Sequence, residues 1–215
     1  MKKSKRQRKS GNWVDRQNSD QFVRKARAGG FRARAIFKLE QIDQKYRLIK
    51  PDTRLVDLGS APGSWSQYAA NRVRDPAQIV AVDLLSMEVV PGTQFIQGDF
   101  TDPSTVEQVI DAIPGHTVDL VLSDMAPNIT GIRATDQARA EALQESILLF
   151  CQQALRPGGC LLTKLFEGEA AVFMRHQMKT LFDQSQAIKP EASRSESKEI
   201  YLLGRGYHGV KAVCA

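Results

Sequence analysis

The amino-acid sequence predicts an α/β fold, a doubly wound and mostly parallel sheet of seven strands with helices on both faces. Three observations lead to this prediction. Short apolar stretches of strand length alternate with segments of helical length. The 215 residues, 42% of them hydrophobic and 25% charged, suit a single domain with one core. Polar residues end several of the apolar stretches, and doubly wound sheets bind ligands beyond the carboxyl ends of their strands.

Each element follows from a local pattern. The first amphipathic helix, over 32–46, repeats apolar residues at helical spacing, and Pro51 follows its end. Strands are predicted over 54–58, 78–84, 94–97, 118–123 and 160–166, with two more near 184–189 and 199–203. Helices are predicted over 65–73, 104–113, about 135–155 and about 170–182. The run Arg156-Pro157-Gly158-Gly159 is the predicted turn that closes the longest helix.

Charge divides the chain into two parts. Residues 1–50 contain 16 Lys and Arg against 4 Asp and Glu, a net charge of +12, whereas the remainder carries −6. We predict a basic, partly disordered N-terminal arm over 1–30 and one folded domain over 31–215. A strongly basic arm is typical of proteins that meet polyanions. The candidate phosphate contacts in the arm are Lys2, Lys3, Lys5, Arg6, Arg8 and Lys9.

The composition also excludes several classes of protein. No stretch approaches the ~20 apolar residues that a membrane-spanning helix needs, and no apolar signal-peptide core follows the basic N-terminus. A cytoplasmic location is therefore expected. Cys151, Cys160 and Cys214 lack the spacing of metal ligands, so no metal site is expected. No exposed apolar stripe demands a partner chain, and a monomer is expected.

The stretch DLGSAPGSW, residues 57–65, has the character of a ligand-binding turn between a strand and a helix. Gly59 and Gly63 bracket it, and glycine tolerates positive φ and close approach of a ligand to the backbone. The stretch lacks the G-x-G-x-x-G pattern of a pyrophosphate-binding turn. The turn, including Asp57, therefore suits the methionine part of a nucleoside cofactor better than a dinucleotide.

Acidic residues end the next two predicted strands. Asp83 can accept both ribose hydroxyls of an adenosine group. Asp99 can accept from the adenine amino group, and Phe100 can support the ring. Taken singly, each acid would more often be a solvated loop residue or a helix cap. Their recurrence at successive strand ends favours an adenosine site without a phosphate cradle.

A second group of charged residues is a candidate for the chemistry. Asp124 ends the fourth predicted strand, and Lys164 lies in an otherwise apolar fifth strand. Lysine is rarely buried without a partner, and such an environment can shift its pKa toward a value that suits proton transfer. A lysine that reaches solvent or forms a structural ion pair is the alternative. By sequence alone, Lys38 and Glu199 would be ordinary surface charges.

Together these motifs resemble the FtsJ/RrmJ-type ribosomal RNA 2′-O-methyltransferases. The resemblance rests on DLGSAPGSWSQ (57–67), VAVDLL (80–85), QGDF (97–100), LSDMAPN (122–128), LTKLF (162–166), RARAIFKL (32–39) and RSESKEIYLL (194–203). It spans roughly residues 10–208 and is specific in the combination and order of its motifs. It implies a Rossmann-like class I methyltransferase fold for the domain over 31–215.

The resemblance also implies a site and a reaction. The Lys-Asp-Lys-Glu tetrad of the family corresponds to Lys38, Asp124, Lys164 and Glu199, and its cofactor contacts to Gly63, Trp65, Asp83, Asp99 and Asp124. The implied cofactor is S-adenosyl-L-methionine, and the implied acceptor is a uridine 2′-hydroxyl in the A-loop of large-subunit (23S) ribosomal RNA, either as RNA alone or within the 50S particle or the whole ribosome. Lys164 would deprotonate or polarise that hydroxyl, or act mainly by orientation while water takes the proton. The arm, with Arg32 and Arg34, would guide the RNA backbone.

Other classes of function fit the sequence less well. A base-amino methyltransferase typically carries an aromatic residue in the stretch that here reads Asp124-Met125-Ala126-Pro127-Asn128. A 5-methylpyrimidine enzyme needs a nucleophilic cysteine near this loop, whereas Cys151 and Cys160 fall in the next predicted helix and strand. A small-molecule methyltransferase leaves the basic arm unexplained, and a nicotinamide dehydrogenase needs the missing glycine pattern. A non-catalytic RNA-binding protein with a methyltransferase-like fold would not need the complete tetrad.

Overall fold

The structure, a computed structural model, describes residues 20–194 and 197–209. Within those residues the helices are α1 (Gln21–Ala28), α2 (Ile36–Tyr46), α3 (Ser64–Ala70), α4 (Pro103–Ala112), α5 (Arg133–Ala154) and α6 (Glu169–Leu181). The strands are β1 (Leu55–Leu58), β2 (Ile79–Asp83), β3 (Gln94–Gln97), β4 (Val118–Ser123), β5 (Leu155–Phe166), β6 (Phe182–Ile188) and β7 (Glu199–Tyr207). Short 3₁₀ turns at Pro76–Gln78 and Pro114–His116 precede β2 and β4.

The strands form one seven-stranded sheet in the order β3-β2-β1-β4-β5-β7-β6. The pairs from β3 to β5 are parallel, whereas β7 runs antiparallel to both β5 and β6. The strand order runs from β1 outward to β3 on one side and from β4 outward on the other, so the topological switch point lies between β1 and β4. The carboxyl ends of these two strands form the crevice where doubly wound sheets bind ligands. The predicted α/β fold with a mostly parallel seven-stranded sheet is confirmed.

Side chains that alternate along the central strands build two cores, one on each face of the sheet. Val56 and Leu58 face the core covered by α4, α5 and α6, whereas Leu55 faces the core covered by α2 and α3. All four residues of β1 are buried, as expected for a central parallel strand between two helical layers. Complete burial of each Val or Leu side chain contributes roughly 1.5–3 kcal/mol.

Among the boundaries that differ from the sequence-based predictions, those of β5 and β7 have identifiable reasons. Strand β5 begins at Leu155, so the predicted turn over 156–159 lies inside the strand as a bulge. Val118 pairs with Leu155, but Leu120 already pairs with Cys160, and the intervening residues loop out of the ladder with Gly158 at φ +78°. Strand β7 continues to Tyr207, beyond the predicted end at 203, because it pairs with both β5 and β6.

The last part of the predicted arm is helical. Asp20 caps α1 by accepting hydrogen bonds from the backbone amides of Phe22 and Val23. Val23 and Ala26 are buried, and the Phe22 ring lies 5.6 Å from that of Phe37 in α2. The apolar residues of this segment thus dock the helix onto the domain. The six basic residues predicted to contact phosphates, from Lys2 to Lys9, lie outside the described residues, as does Cys214.

Candidate active site

The turn between β1 and α3 brings its backbone close to two other segments. Gly59 and Gly63 have φ values of +73° and +99°, a region that L side chains rarely adopt. A Cβ atom on Gly59 would lie 3.1 Å from the backbone nitrogen of Met125, which follows β4. The turn therefore needs glycine at Gly59 because the loop after β4 packs directly on it.

Asp83 ends β2 beside this turn. Its carboxylate accepts one hydrogen bond from the Ala61 amide and one from the Leu85 amide, each 2.8 Å long. These bonds fix the orientation of the carboxylate at the mouth of a cavity that it lines. A carboxylate has about four acceptor sites, so Asp83 retains capacity for hydroxyl groups of a ligand.

Asp99 and Phe100 follow β3 and form the next part of the wall. The hydroxyl and amide of Thr101 donate to Asp99 at 2.6 and 2.9 Å, and these hydrogen bonds lower the pKa of the carboxyl group. Asp99 is therefore an ionised acceptor at neutral pH. The Phe100 ring is buried and packs edge-on against Phe150 at 5.4 Å between centroids.

The cavity beyond the carboxyl ends of β1 to β4 has a volume of about 810 Å³. This size lies in the range of small-molecule and cofactor sites. Of the predicted cofactor residues, its lining includes Gly59, Asp83, Asp99, Phe100 and Asp124. The loop after β4 forms the opposite wall with Met125, Ala126, Pro127 and Asn128.

Asp57 and Trp65, also predicted as cofactor contacts, have side chains behind the turn. Asp57 is completely buried and accepts a 2.6 Å hydrogen bond from the Ser66 hydroxyl, and burial raises its pKa to about 7. The Trp65 indole is buried and donates to the Ala35 carbonyl at 2.9 Å. Their side chains support the turn from within the protein, so a ligand in the cavity would meet other groups.

Asp124 and Lys164 meet at the ends of β4 and β5. The Lys164 ammonium lies 3.0 Å from Asp124 Oδ1 and also donates to the backbone carbonyl of Asp124. Lys164 is only 9% exposed, so its carboxylate partner compensates the cost of burying a lysine. The sequence-based expectation that Lys164 needs a partner is met by this contact.

Lys38 and Glu199 form the second charged pair of the site. The Lys38 ammonium in α2 lies 2.6 Å from Glu199 Oε1 at the start of β7. The Ser193 hydroxyl donates to the same oxygen at 2.9 Å. Sequence reasoning treated both residues as ordinary surface charges unless the resemblance was considered, because α2 and β7 are far apart in the chain.

Tyr201 joins the two pairs, although it was not among the residues predicted for the site. Its hydroxyl donates to Asp124 Oδ1 at 2.8 Å, and the Lys38 ammonium lies 5.7 Å from the centre of its ring. Burial, followed by the charges of Asp124 and Glu199, holds the pKa of Tyr201 well above its usual range, so the hydroxyl stays neutral. The available signal was its position two residues after Glu199, because alternate residues of a strand share a face.

Arg32 and Arg34, predicted to guide RNA, are held by the protein. Arg34 forms an ion pair with Asp20 and donates to the Ala192 carbonyl. Arg32 donates to the backbone carbonyls of Pro62, Glu88 and Val89. Both arginines thus have intramolecular contacts that their sequence position did not predict.

Two further features concern ions and membranes. In the described ranges, no group of three or more His, Cys, Asp or Glu side chains is arranged to hold a metal ion. Among the helices of these same ranges, none combines the length and the apolar character needed to cross a bilayer.

The chain shares this architecture with known proteins. Residues 31–207 match the model of the family described as FtsJ-like methyltransferase. This chain belongs to the FtsJ-like methyltransferase family. The matched range contains both the cavity and the charged residues around Tyr201, and it excludes α1 and the residues before it.

Relatives of this FtsJ-like chain carry a common name. The ribosomal RNA large subunit methyltransferase E of Alkalilimnicola ehrlichii is 47% identical over 207 residues, covering 96% of this chain and 99% of the relative. The protein of the same name from Chromobacterium violaceum is 46% identical over 201 residues, covering 94% and 98%. A solved structure of a ribosomal RNA methyltransferase from Plasmodium falciparum is 25% identical with a TM-score of 0.69, covering 83% of this chain and 100% of that one.

Proposed function

We propose that this methyltransferase uses S-adenosyl-L-methionine to methylate the 2′-hydroxyl of a uridine ribose in the A-loop of 23S ribosomal RNA, in support of ribosome maturation. One observation carries the proposal. Asp124 lines the cofactor cavity and is also the partner of Lys164 and Tyr201. The candidate donor site and the candidate acceptor residues therefore share one carboxylate. The names of the relatives support the class of RNA.

The chemistry of the cavity fits the proposed cofactor. Asp83 would accept from the ribose hydroxyls, and Asp99, ionised because Thr101 donates to it, would accept from the adenine amino group. Phe100 would support the base, and the backbone of the turn, which lines the cavity at Gly59 and Ala61, would receive the methionine part. S-adenosyl-L-methionine, when bound, supplies a methyl group that its sulfonium already activates.

The acceptor half of the site consists of the two charged pairs, Lys38 with Glu199 and Asp124 with Lys164. It would position a ribose hydroxyl and help to remove its proton. The tetrahedral nitrogen of Lys164 is bonded to its own Cε and has two of its other positions directed at oxygens of Asp124. With respect to the described residues, one position on this nitrogen remains for the 2′-oxygen of the substrate. Asp124 would orient Lys164, whereas Lys38 and Glu199 would position the ribose. Holding oxygen, methyl carbon and sulfur in line is the larger contribution expected of such a site.

The site lacks the groups that two rival classes of methyltransferase need. The Cys151 thiol is buried in α5, where burial raises its pKa, and no cysteine of the described residues lines the cavity. This arrangement does not support a 5-methylpyrimidine reaction, which needs a thiolate nucleophile. The loop after β4 presents Met125 and Pro127 instead of the aromatic residue typical of base-amino methyltransferases.

The proposed RNA contacts lie beside α2. Helix α1 exposes Arg24, Lys25 and Arg27, which continue the basic character predicted for the arm. These cations would neutralise phosphates of the rRNA in the 50S particle. The resulting contribution to binding affinity depends little on the nucleotide sequence. We propose that the protein acts in the cytoplasm as a monomer.

The test is methyl transfer from radiolabelled S-adenosyl-L-methionine to ribosomal particles from a strain that lacks the gene. Digestion of the product RNA to nucleosides should yield labelled 2′-O-methyluridine. Primer extension at low nucleotide concentration should then stop in the A-loop. Label in a methylated base would refute ribose methylation. Cofactor binding without transfer would favour a non-catalytic RNA-binding protein.

A further inference from the structure

The segment between α1 and α2 is bonded directly to the cofactor side of the site. Gln67 of α3 accepts from the Arg32 amide at 3.2 Å, and its side-chain amide donates to the Gly30 carbonyl at 3.1 Å. The Trp65 indole donates to the Ala35 carbonyl. Residues 30–35 thus follow the surface of the turn and of α3 before α2 begins.

Arg32 extends this contact with its side chain. Its Nη1 donates to the Pro62 carbonyl at 3.1 Å and to the Glu88 carbonyl, and its Nη2 lies 3.3 Å from the Val89 carbonyl. Pro62 belongs to the cofactor turn, whereas Glu88 and Val89 belong to the connection between β2 and β3. One planar guanidinium therefore bridges two segments that are otherwise joined on the inner side by Asp83.

The backbone at Gly63 is shaped for this bridge. A Cβ atom on Gly63 would lie 2.5 Å from Arg32 Nη1 and 3.2 Å from the Met87 sulfur. The Ser60 hydroxyl also contacts that sulfur at 3.7 Å. The connection between β2 and β3 therefore packs against the turn through Met87, and the Arg32 side chain lies beside this contact.

We infer that Arg32 is a positioning residue for the cofactor half of the site. It clamps Pro62 to Glu88 and Val89, and so holds the wall formed by Leu84 and Leu85 against the turn. Those two leucines line the cavity although they are 60% and 66% exposed, so burial does little to hold them. A wall fixed before binding lowers the cost of ordering it when the ligand arrives.

This role differs from the guidance of the RNA backbone that was expected of Arg32 from its sequence position. In the described ranges, the acceptors of the guanidinium are three uncharged backbone carbonyls. A fork of several N–H donors can bridge carbonyls from two segments, whereas a lysine ammonium acts as a point charge. Arg32 also precedes Lys38 by six residues. The segment that contacts the cofactor turn therefore leads directly into α2, the helix that carries Lys38.

The inference rests on the proposed function only for the identity of the cofactor. The experiment compares the full-length wild type with Arg32→Ala, Arg32→Lys and the matched control Arg54→Ala. Arg54 likewise donates to a backbone carbonyl, that of Pro114, at the other end of the sheet. The readouts are the Kd for S-adenosyl-L-methionine by calorimetry and amide hydrogen exchange of residues 61–64 and 85–90 without ligand.

Both Arg32 variants should bind the cofactor about tenfold more weakly, equivalent to roughly 1.4 kcal/mol, with faster exchange in both segments. At saturating cofactor and RNA, their kcat should remain near the wild-type value. Arg54→Ala should change neither readout. Wild-type Kd and exchange in Arg32→Ala, with weaker RNA binding, would overturn the clamp and favour a phosphate contact. If the wild type itself failed to bind the cofactor, the proposed function would fail, while hydrogen exchange would still test the clamp.

Discussion

Replacement of Lys164 by alanine tests the acceptor half most directly. Lys164 lies 3.0 Å from Asp124 Oδ1, does not line the cofactor cavity and is buried against β4. We expect kcat to fall by about 10²–10⁴, the contribution of a positioned proton-transfer group. The Kd for S-adenosyl-L-methionine should change less than about threefold, because Asp124 retains its hydrogen bond from Tyr201.

The stability effect follows from the same contacts. Removal of one partner from a buried ion pair costs about 3–5 kcal/mol. Asp124 is 21% exposed in its side chain and keeps the Tyr201 hydroxyl, so a smaller loss of about 1–2 kcal/mol is expected. Thermal unfolding of the purified variant measures this loss, and cofactor calorimetry measures binding.

The assay pairs single-turnover methyl transfer with a control, Lys179→Ala, which removes an exposed lysine from the surface of α6. The control should match the wild type in rate and stability. A large loss of cofactor affinity in Lys164→Ala would mean that Lys164 is structural. A near wild-type rate with intact binding would refute its assignment to the reaction. The pH–rate profile of the wild type then reports whether a group must lose a proton before transfer.

Three more predictions address the remaining parts of the molecule. Tyr201→Phe removes the 2.8 Å hydrogen bond to Asp124 and should lower kcat about tenfold. Tyr207→Phe, a control in the same strand, should leave kcat unchanged, and equal rates for both variants would contradict the assignment of Tyr201 to the site. Deletion of residues 1–12 should weaken RNA binding and flatten its salt dependence, and an unchanged slope would argue against phosphate contacts by the arm. Burial raises the pKa of Asp57 to about 7 from an ordinary 3.8, so the folded state holds a proton that the unfolded state releases. The contribution of Asp57 to the free energy of unfolding should therefore fall by on the order of 4 kcal/mol as pH rises from about 4 to above 7. Asp57→Asn should flatten this decline in denaturant titrations at pH 5 and 8, and an equal slope in both proteins would contradict the assignment.

The neutral state expected of Asp57 below pH 7 is consistent with its surroundings. Within the described part of the chain, its buried Oδ1 atom has no hydrogen-bond partner, which would be costly for a charged carboxylate. The nearby carboxylates of Asp124 and Asp83 also raise its pKa. Asp57 therefore supports the turn mainly as a buried acid hydrogen-bonded to Ser66, whereas the acids at the next two strand ends, Asp83 and Asp99, line the cavity.

The sequence by itself determined most of the elements and which acids gather at one edge of the sheet. Short apolar stretches located β1, β2 and β4, and Asp83 and Asp99, at or just after the ends of two strands, both line the cavity. Their convergence has a physical basis. Side-chain periodicity is local, and parallel strands present their carboxyl ends at one edge, so residues that end strands converge without knowledge of long-range contacts.

Only the tertiary structure decided which distant side chains meet. The antiparallel pairing of β5 with β7 places Lys164 opposite Tyr201, and α2 brings Lys38 to Glu199. No local pattern specifies such contacts, so Tyr201 was missed and Lys38 depended on the resemblance. The same holds for the side chains of Asp57 and Trp65, which lie behind the turn, and for Arg32, which binds carbonyls of two segments. Spacing along the chain identifies the residue types of a site, whereas strand pairing and helix packing determine their partners.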